Sequence, residues 1–209
     1  MPAERLHLVR HGEVHNPTRV LYGRLPNFGL SVAGREMTRS AAEYVQSLER
    51  PVGSLTSSPL QRTRESSEPF EHLFGIAPVI DERVIEPTNV FEGRRMKRAL
   101  LNPLNWWHLR APALPSWGEP YASVVARMTA AMNDAWDNTE AGDAVIVSHQ
   151  LPIWITHLHV TGAPLKHDPR KRRCALSSVT SFERVGSRWV EVAYAEPAST
   201  AGAVDVGAV

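Results

Sequence analysis

The sequence predicts an α/β protein, a three-layer α/β/α sandwich on a mostly parallel, mixed sheet. Three observations carry this. Short apolar strands alternate with amphipathic helices, the order that places helices on both faces of a parallel sheet. Ala144-Val145-Ile146-Val147 is a continuous apolar run, as a strand buried on both faces requires. Near the end, two strand-like segments flank Gly186-Ser187 and read as a hairpin, which makes the sheet mixed.

In chain order, Leu6–Val9 is the first short strand. Ser31 caps a helix whose apolar face is Ala33, Met37, Ala41, Tyr44, Val45 and Leu48, at helical spacing. Gly53–Ser57 is a second strand, and Pro59 suits the start of a helix running to about Phe74. Val79-Ile80 reads as a third strand. The stretch 87–120 is irregular, with several Pro, Gly and Trp residues, and reads as an inserted lid with a short helix near Arg94–Leu101. Val124, Val125, Met128, Ala131, Met132 and Ala135 line one side of the next helix. After the Ala144–Val147 strand, Leu151–Val160 is helical, opened by Pro152. The hairpin strands are expected at Ser177–Glu183 and Trp189–Tyr194, with Cys174 a small buried residue opening the first. Pro197–Val209 has little to bury and reads as a flexible tail. The expected organisation is one domain over residues 1–196, with the lid at about 87–120 and the tail at 197–209.

Composition excludes several classes. With 209 residues, 43% hydrophobic and 22% charged, the chain can bury a real core without a disulfide or metal staple. A single cysteine rules out a disulfide framework and a multi-Cys zinc site. The 23 Lys+Arg against 22 Asp+Glu leave a formal charge of +1, which argues against a nucleic-acid or membrane binder. No signal-like apolar region opens the chain, and no run approaches the roughly 20 apolar residues of a spanning helix. Cytoplasmic location is therefore the expectation. The cations are 20 Arg and only 3 Lys. This is either a composition bias or a use of Arg's planar fork, which suits phosphate and carboxylate.

Position decides between these. In open α/β sheets, ligands bind beyond the carboxyl ends of the strands. Arg10-His11-Gly12-Glu13 ends the first strand, Ser57-Ser58-Pro59-Leu60-Gln61-Arg62 follows the second, and Ser148-His149 ends the Ala144–Val147 strand. Each histidine or arginine alone reads as structural. Together they bring two imidazoles and two guanidiniums from distant segments to one edge of a sheet. Such a set suits a phosphoryl group: a neutral imidazole attacks phosphorus in line while arginines hold the equatorial oxygens. Gly12 lets the backbone pass close to the phosphate.

These segments resemble the histidine phosphatase superfamily, which includes cofactor-dependent phosphoglycerate mutases. Leu8-Val9-Arg10-His11-Gly12-Glu13 is similar to its Arg-His-Gly signature, and Asn16 stands where the family often has Asn. Tyr22-Gly23-Arg24, then Leu30-Ser31-Val32-Ala33-Gly34, resembles its stretch ending Pro-Leu-Ser/Thr-x-x-Gly. Ser57-Ser58-Pro59-Leu60-Gln61-Arg62-Thr63 resembles Ser-Ser-x-Leu-x-Arg-Ala/Thr. Val84-Ile85-Glu86 with Phe91-Glu92-Gly93, Gly118-Glu119 with Arg127, and Val147-Ser148-His149 resemble the remaining motifs, in the family's order over roughly residues 5–185.

The resemblance implies a phosphoglycerate mutase-like fold and a role for each matching residue. His11 is the nucleophile, and Arg10, Arg62 and His149 bind the phosphoryl group. Glu86 protonates the leaving oxygen and later activates water. Asn16, Tyr22, Gly23 and Gln150 are substrate-pocket candidates. No metal and no cofactor is implied, and the His7/His11/His15 and His157/His159 spacings read as ordinary histidines. His11 must be neutral to attack. Nearby arginines favour that form and bound phosphate opposes it, so activity is expected to depend on pH near neutrality.

The chain also departs from the pattern. Gln150, not Gly, follows the second histidine, and Pro120 replaces a Ser after Gly118-Glu119. The spacing from Glu86 to Phe91 is one residue short and contains Pro87, which leaves Glu92 as the reserve acid. Glu13 and Glu119 read as hydrogen-bond organisers. The basic runs Arg94–Arg98 and Arg170–Arg173 read as solvated faces, with steering of an anionic substrate as the other use. The expected activity is hydrolysis of a small phosphorylated metabolite through phospho-His11. The alternatives are a mutase using the same groups, or a catalytically impaired phosphate-binding member. The short middle segment favours hydrolysis, and a homodimer stays open.

Overall fold

The computed structural model describes residues 3–110 and 117–205. Its elements are β1 (Leu6–Arg10), α1 (Val32–Ser47), β2 (Val52–Ser57), α2 (Gln61–Phe74), β3 (Val79–Ile80), α3 (Met96–Leu100), α4 (Tyr121–Asn138), β4 (Asp143–Ser148), α5 (Gln150–Val160), β5 (Val179–Val185) and β6 (Arg188–Ala195). Short 3-10 turns cover Glu82–Val84, Pro103–Leu109 and Pro169–Lys171. The six strands form one sheet in the order β3-β2-β4-β1-β5-β6. β3, β2, β4 and β1 are parallel, and the antiparallel hairpin β5–β6 extends the sheet beyond β1.

Side chains alternate across a strand, so the central strands feed two separate cores. Leu6, Leu8, Ala144, Ile146 and Phe182 pack with Val124, Met128 and Met132 of α4 and Ile155 of α5. On the other face, Val9, Val145, Val147, Val179 and Leu55 pack with Ala41 and Val45 of α1 and Phe70 of α2. The three layers follow directly. Ile146 is fully buried between them, and Ile146→Ala is expected to cost about 2–5 kcal/mol of stability, read from urea unfolding midpoints.

A local signal starts α1 where expected, while α2 begins at Gln61, two residues beyond the proline expected at its start. The Ser31 hydroxyl accepts from the Gly34 amide at 3.0 Å and caps α1. Elsewhere the structure trims the elements. The helix expected near Arg94–Leu101 is the single turn-and-a-half of α3, because Asn102 caps the following 3-10 turn by accepting from Leu104 at 3.1 Å. β5 begins at Val179, since Ser177 takes a left-handed conformation (φ 55°) that ends any strand before it. Cys174 is buried, in the loop ahead of β5 and not on a strand, and its burial raises the thiol pKa to about 11.

The described parts of the lid are anchored by a small third cluster of Leu21, Phe91 and Ala99, flanked by Met96 and Trp117. Val90 donates its amide to the Trp117 carbonyl at 2.8 Å, pinning the two ends of the segment together. Residues 111–116, within the expected lid, lie outside the described residues.

Over its described part, the tail expected at 197–209 lies against the fold. Residues 198–203 run beside α1, Val204 donates to Glu13 Oε1 at 3.3 Å, and Asp205 reaches Arg10 at the end of β1. Local composition could not foresee this, because what holds the segment is one charge whose partner is 195 residues away. Residues 206–209 lie outside the described residues. Among the described residues, no helix is long and apolar enough to cross a membrane.

Candidate active site

The sheet register builds the site. Arg10 of β1 lies opposite Ser148 of β4, so the next residue on each strand, His11 and His149, leaves the sheet side by side. Their rings are 5.3 Å apart, edge to face. β2 flanks β4 with Ser57 opposite Val147, and the chain then turns through Ser58-Pro59-Leu60 into α2. Arg62 therefore sits in the first turn of α2, over the same edge. Glu86 arrives from the 3-10 turn after β3, which is tied to β4 where Ser148 Oγ donates to the Val84 carbonyl at 2.7 Å.

Arg10, His11, Arg62, Glu86 and His149 are each exposed by 1% or less. Among the described residues, seven buried side-chain polar atoms have no hydrogen-bond partner, and five belong to this set: Arg10 Nε, His11 Nε2, Arg62 Nε, Glu86 Oε1 and His149 Nδ1. Buried polar groups are normally satisfied, and leaving one bare costs about 1–3 kcal/mol. Five together make this edge the candidate site for a polar ligand.

His11 Nδ1 is 2.7 Å from the Gly12 carbonyl. A carbonyl can only accept, so Nδ1 carries the proton and the lone pair lies on Nε2. Burial first, then the charges of Arg62 and Arg10, push the His11 pKa well below 6.5. The ring is thus neutral at neutral pH. His149 is depressed in the same way by burial, Arg62 and His11. Its Nε2 meets Ser58 Oγ at 2.7 Å, and its Nδ1 is 3.7 Å from Glu86 Oε2.

Burial raises the pKa of Glu86 despite the opposing charges of Arg62, Arg172, Arg10 and Arg127. The protonated carboxyl, which burial favours, is a form that can donate. Arg62 donates to the Gly23 carbonyl at 2.8 Å, and its guanidinium carbon is 4.7 Å from the centre of the Tyr22 ring. Burial lowers the pKa of Arg62, while Tyr22 and Glu86 support its charge. Arg10 donates to the Cys174 carbonyl at 2.6 Å and to both oxygens of Asp205. Burial works against its charge, but Asp205 outweighs that and the pKa is raised.

Gly12 and Gly34 explain the close approach of α1. A Cβ on Gly12 would lie 2.3 Å from the Gly34 carbonyl oxygen, and one on Gly34 would lie 2.1 Å from that of Glu13. Gly34→Ala is expected to destabilise by about 1–3 kcal/mol, measured by thermal or urea unfolding, because backbone rather than side chain must move.

The remaining candidates are placed around this centre. Tyr22 and Gly23 wall the Arg62 side. Gly23 sits at φ 43° with its α-carbon against the Glu92 carboxylate, where a Cβ would meet Glu92 Oε1 at 2.2 Å. Asn16 closes its own loop: Nδ2 donates to the Val20 carbonyl at 2.8 Å and Oδ1 accepts the Val20 amide at 3.2 Å. Glu92 Oε1 accepts the amides of Arg24 and Asn89 at 3.1 and 3.3 Å, an anchoring role. Glu119 pairs with Arg127 at 2.9 Å, and Glu13 accepts from Val204, both as organisers. His7 of β1 is buried between Ser181 of β5 and Asp143 of β4. Among the described residues, no group of three or more His, Cys, Asp or Glu is arranged to hold a metal ion.

Two neighbours escaped the sequence reading, Ser58 on His149 and Arg172. The run Arg170–Arg173 was expected to be solvated, and Arg170, Lys171 and Arg173 are exposed. Arg172 turns inward, donating to His167 Nε2 at 2.9 Å and to Gln150 Oε1 at 3.2 Å. A run of like charges carries no periodicity to single out one member. The available signal was Gln150 itself, the departure from the family pattern, which is the residue Arg172 meets.

With this geometry in place, comparison with known proteins defines the class. The family model of the histidine phosphatase superfamily (branch 1) matches residues 6–197, and the chain belongs to that superfamily. It is 46% identical over 203 residues to the uncharacterised protein Rv0525 of Mycobacterium tuberculosis, covering 95% of this chain and all of that one. Among solved structures, it is similar to YhfR of Bacillus stearothermophilus (TM-score 0.76, 23% identity, 91% of this chain and 96% of that one). It is also similar to a mycobacterial glucosyl-3-phosphoglycerate phosphatase, Rv2419c (TM-score 0.72, 21% identity, 91% and 97%). A phosphoserine phosphatase of Entamoeba histolytica, in complex with 3-phosphoglyceric acid, has the same fold (TM-score 0.74, 19% identity, 91% and 95%). At these identities the structural likeness establishes the fold.

Proposed function

We propose that the chain hydrolyses small phosphomonoesters through a phosphohistidine on His11, with Arg10 and Arg62 supplying the positive charge that the transferring phosphoryl group requires. The carrying observation is the convergence of five unpartnered buried polar atoms from four separate segments on one edge of the sheet. In this reading His11 Nε2 attacks phosphorus and the bond to the leaving oxygen breaks. Glu86 gives its proton to that oxygen, and the alcohol departs. Water then gives a proton to the Glu86 carboxylate and attacks the phosphohistidine, which releases phosphate and restores Nε2. Arg10, Arg62 and His149 bind the equatorial oxygens throughout. Superfamily membership and phosphatases among the structural neighbours support hydrolysis.

The test is a panel of phosphomonoesters scored for both phosphate release and isomerisation, with 3-phosphoglycerate included and chelator present. Phosphate release is the expected result. Conversion to 2-phosphoglycerate without phosphate release would replace the phosphatase reading with a mutase. Absence of any turnover, with phosphate still bound, would make this a binding protein.

A further inference from the structure

Asp205 holds Arg10 in the manner a phosphoryl group would. Its Oδ1 accepts from Arg10 Nη2 at 2.5 Å and its Oδ2 from Nη1 at 2.8 Å, a fork-to-fork contact that phosphate oxygens make equally well. Arg10 is fully buried while the Asp205 side chain is 38% exposed, so the anion enters from the solvent side onto an interior cation. Asp205 is also the sole ionisable side chain between Pro197 and Val209.

The rest of the strap is lightly held. Apart from Pro197 it consists of Ala, Ser, Thr, Gly and Val. The Ala203 amide bonds within the strap, to Thr200 at 3.0 Å, and Val204 makes a long contact of 3.3 Å to Glu13. A cleft of about 420 Å³, lined by Glu13, Ala33, Met37, Ser199 and Ala201 among others, separates the strap from α1. Segments with few buried apolar contacts open at small free-energy cost.

We propose that residues 197–205 form an intramolecular competitor for the phosphoryl site: Asp205 and a phosphate group exclude one another at Arg10. The proposal rests on the reading of Arg10 as a phosphoryl-binding residue. Phosphate can accept from the unpartnered Arg62 Nε as well as from Arg10, so it has more contacts to gain than the single carboxylate it displaces. The affinity of the intact chain for phosphate is then lowered by the fraction of time the strap is closed.

The experiment titrates inorganic phosphate by calorimetry into the full-length protein and into full-length Asp205→Asn and Asp205→Ala. Both variants are expected to bind phosphate at least about 10-fold more tightly than the parent, which corresponds to a strap closed for about nine-tenths of the time. Amide exchange across 198–205 should accelerate when the parent is saturated with phosphate. Equal affinity in all three proteins, weaker binding in the variants, or unchanged exchange would each overturn the strap proposal and leave the phosphatase reading standing. Failure of all three to bind phosphate would instead overturn the reading of Arg10 on which the proposal rests.

Discussion

His11→Ala is expected to lower the turnover of p-nitrophenyl phosphate by at least about 10³-fold while the protein still unfolds cooperatively. The magnitude follows from what the ring supplies. In the proposed reaction its Nε2 lone pair is the nucleophile, its tautomer is held by the Gly12 carbonyl, and burial with Arg62 and Arg10 keeps it neutral. Alanine removes the covalent route, leaving only the electrostatic hold of the arginines on the phosphoryl group. Rapid acid-free quenching with labelled substrate should trap a phosphorylated parent, acid-labile as a phosphohistidine is, and no labelled variant. Undiminished turnover in His11→Ala would sink the nucleophile assignment.

Glu86→Gln carries the second large effect, and it depends on the leaving group. An alkoxide needs a proton as it departs, so turnover of alkyl phosphates is expected to fall by about 10²–10⁴-fold. The phenolate of p-nitrophenyl phosphate departs without one and should lose far less. The pH profile of kcat/KM gives the complementary evidence. His11 has its pKa pushed well below 6.5, so the rate rises with pH through that depressed value as the ring loses its proton. Glu86 has its pKa raised above 4.5, so the rate falls as pH rises through that higher value and the acid ionises. Glu86→Gln should erase the falling limb and keep the rising one. Glu92→Gln makes the control. It should loosen the Arg24 and Asn89 amides and lower stability while the falling limb persists. Loss of that limb in Glu92→Gln alone would reassign the acid.

Much of this molecule could be read from neighbouring residues. The apolar run of β4, the Ser31 cap and the i, i+3, i+4 pattern of α4 are short-range signals, and the structure keeps each of them. Placing Arg10, His11, Arg62 and His149 on one edge was also legible. In a parallel sheet the carboxyl ends of the strands lie on the same side, so residues that follow those ends converge. Glu86 was harder, because its approach depends on the 3-10 turn Glu82–Val84 and on the bond from Ser148 to Val84, neither of which spacing encodes.

The excess of arginine shows the same division. Strand ends and motif order were enough to put Arg10 and Arg62 at the same edge of the sheet, the place proposed here for a phosphoryl group. Folding was needed to show that Arg172 turns inward from a basic run, that Ser58 faces His149, and that Asp205 meets Arg10 from 195 residues away. The difference is one of range. Hydrophobic periodicity and capping act between residues a few positions apart and leave a pattern in the string. A charge-assisted contact joins any two positions that the fold brings together, and it leaves no trace in the residues between them.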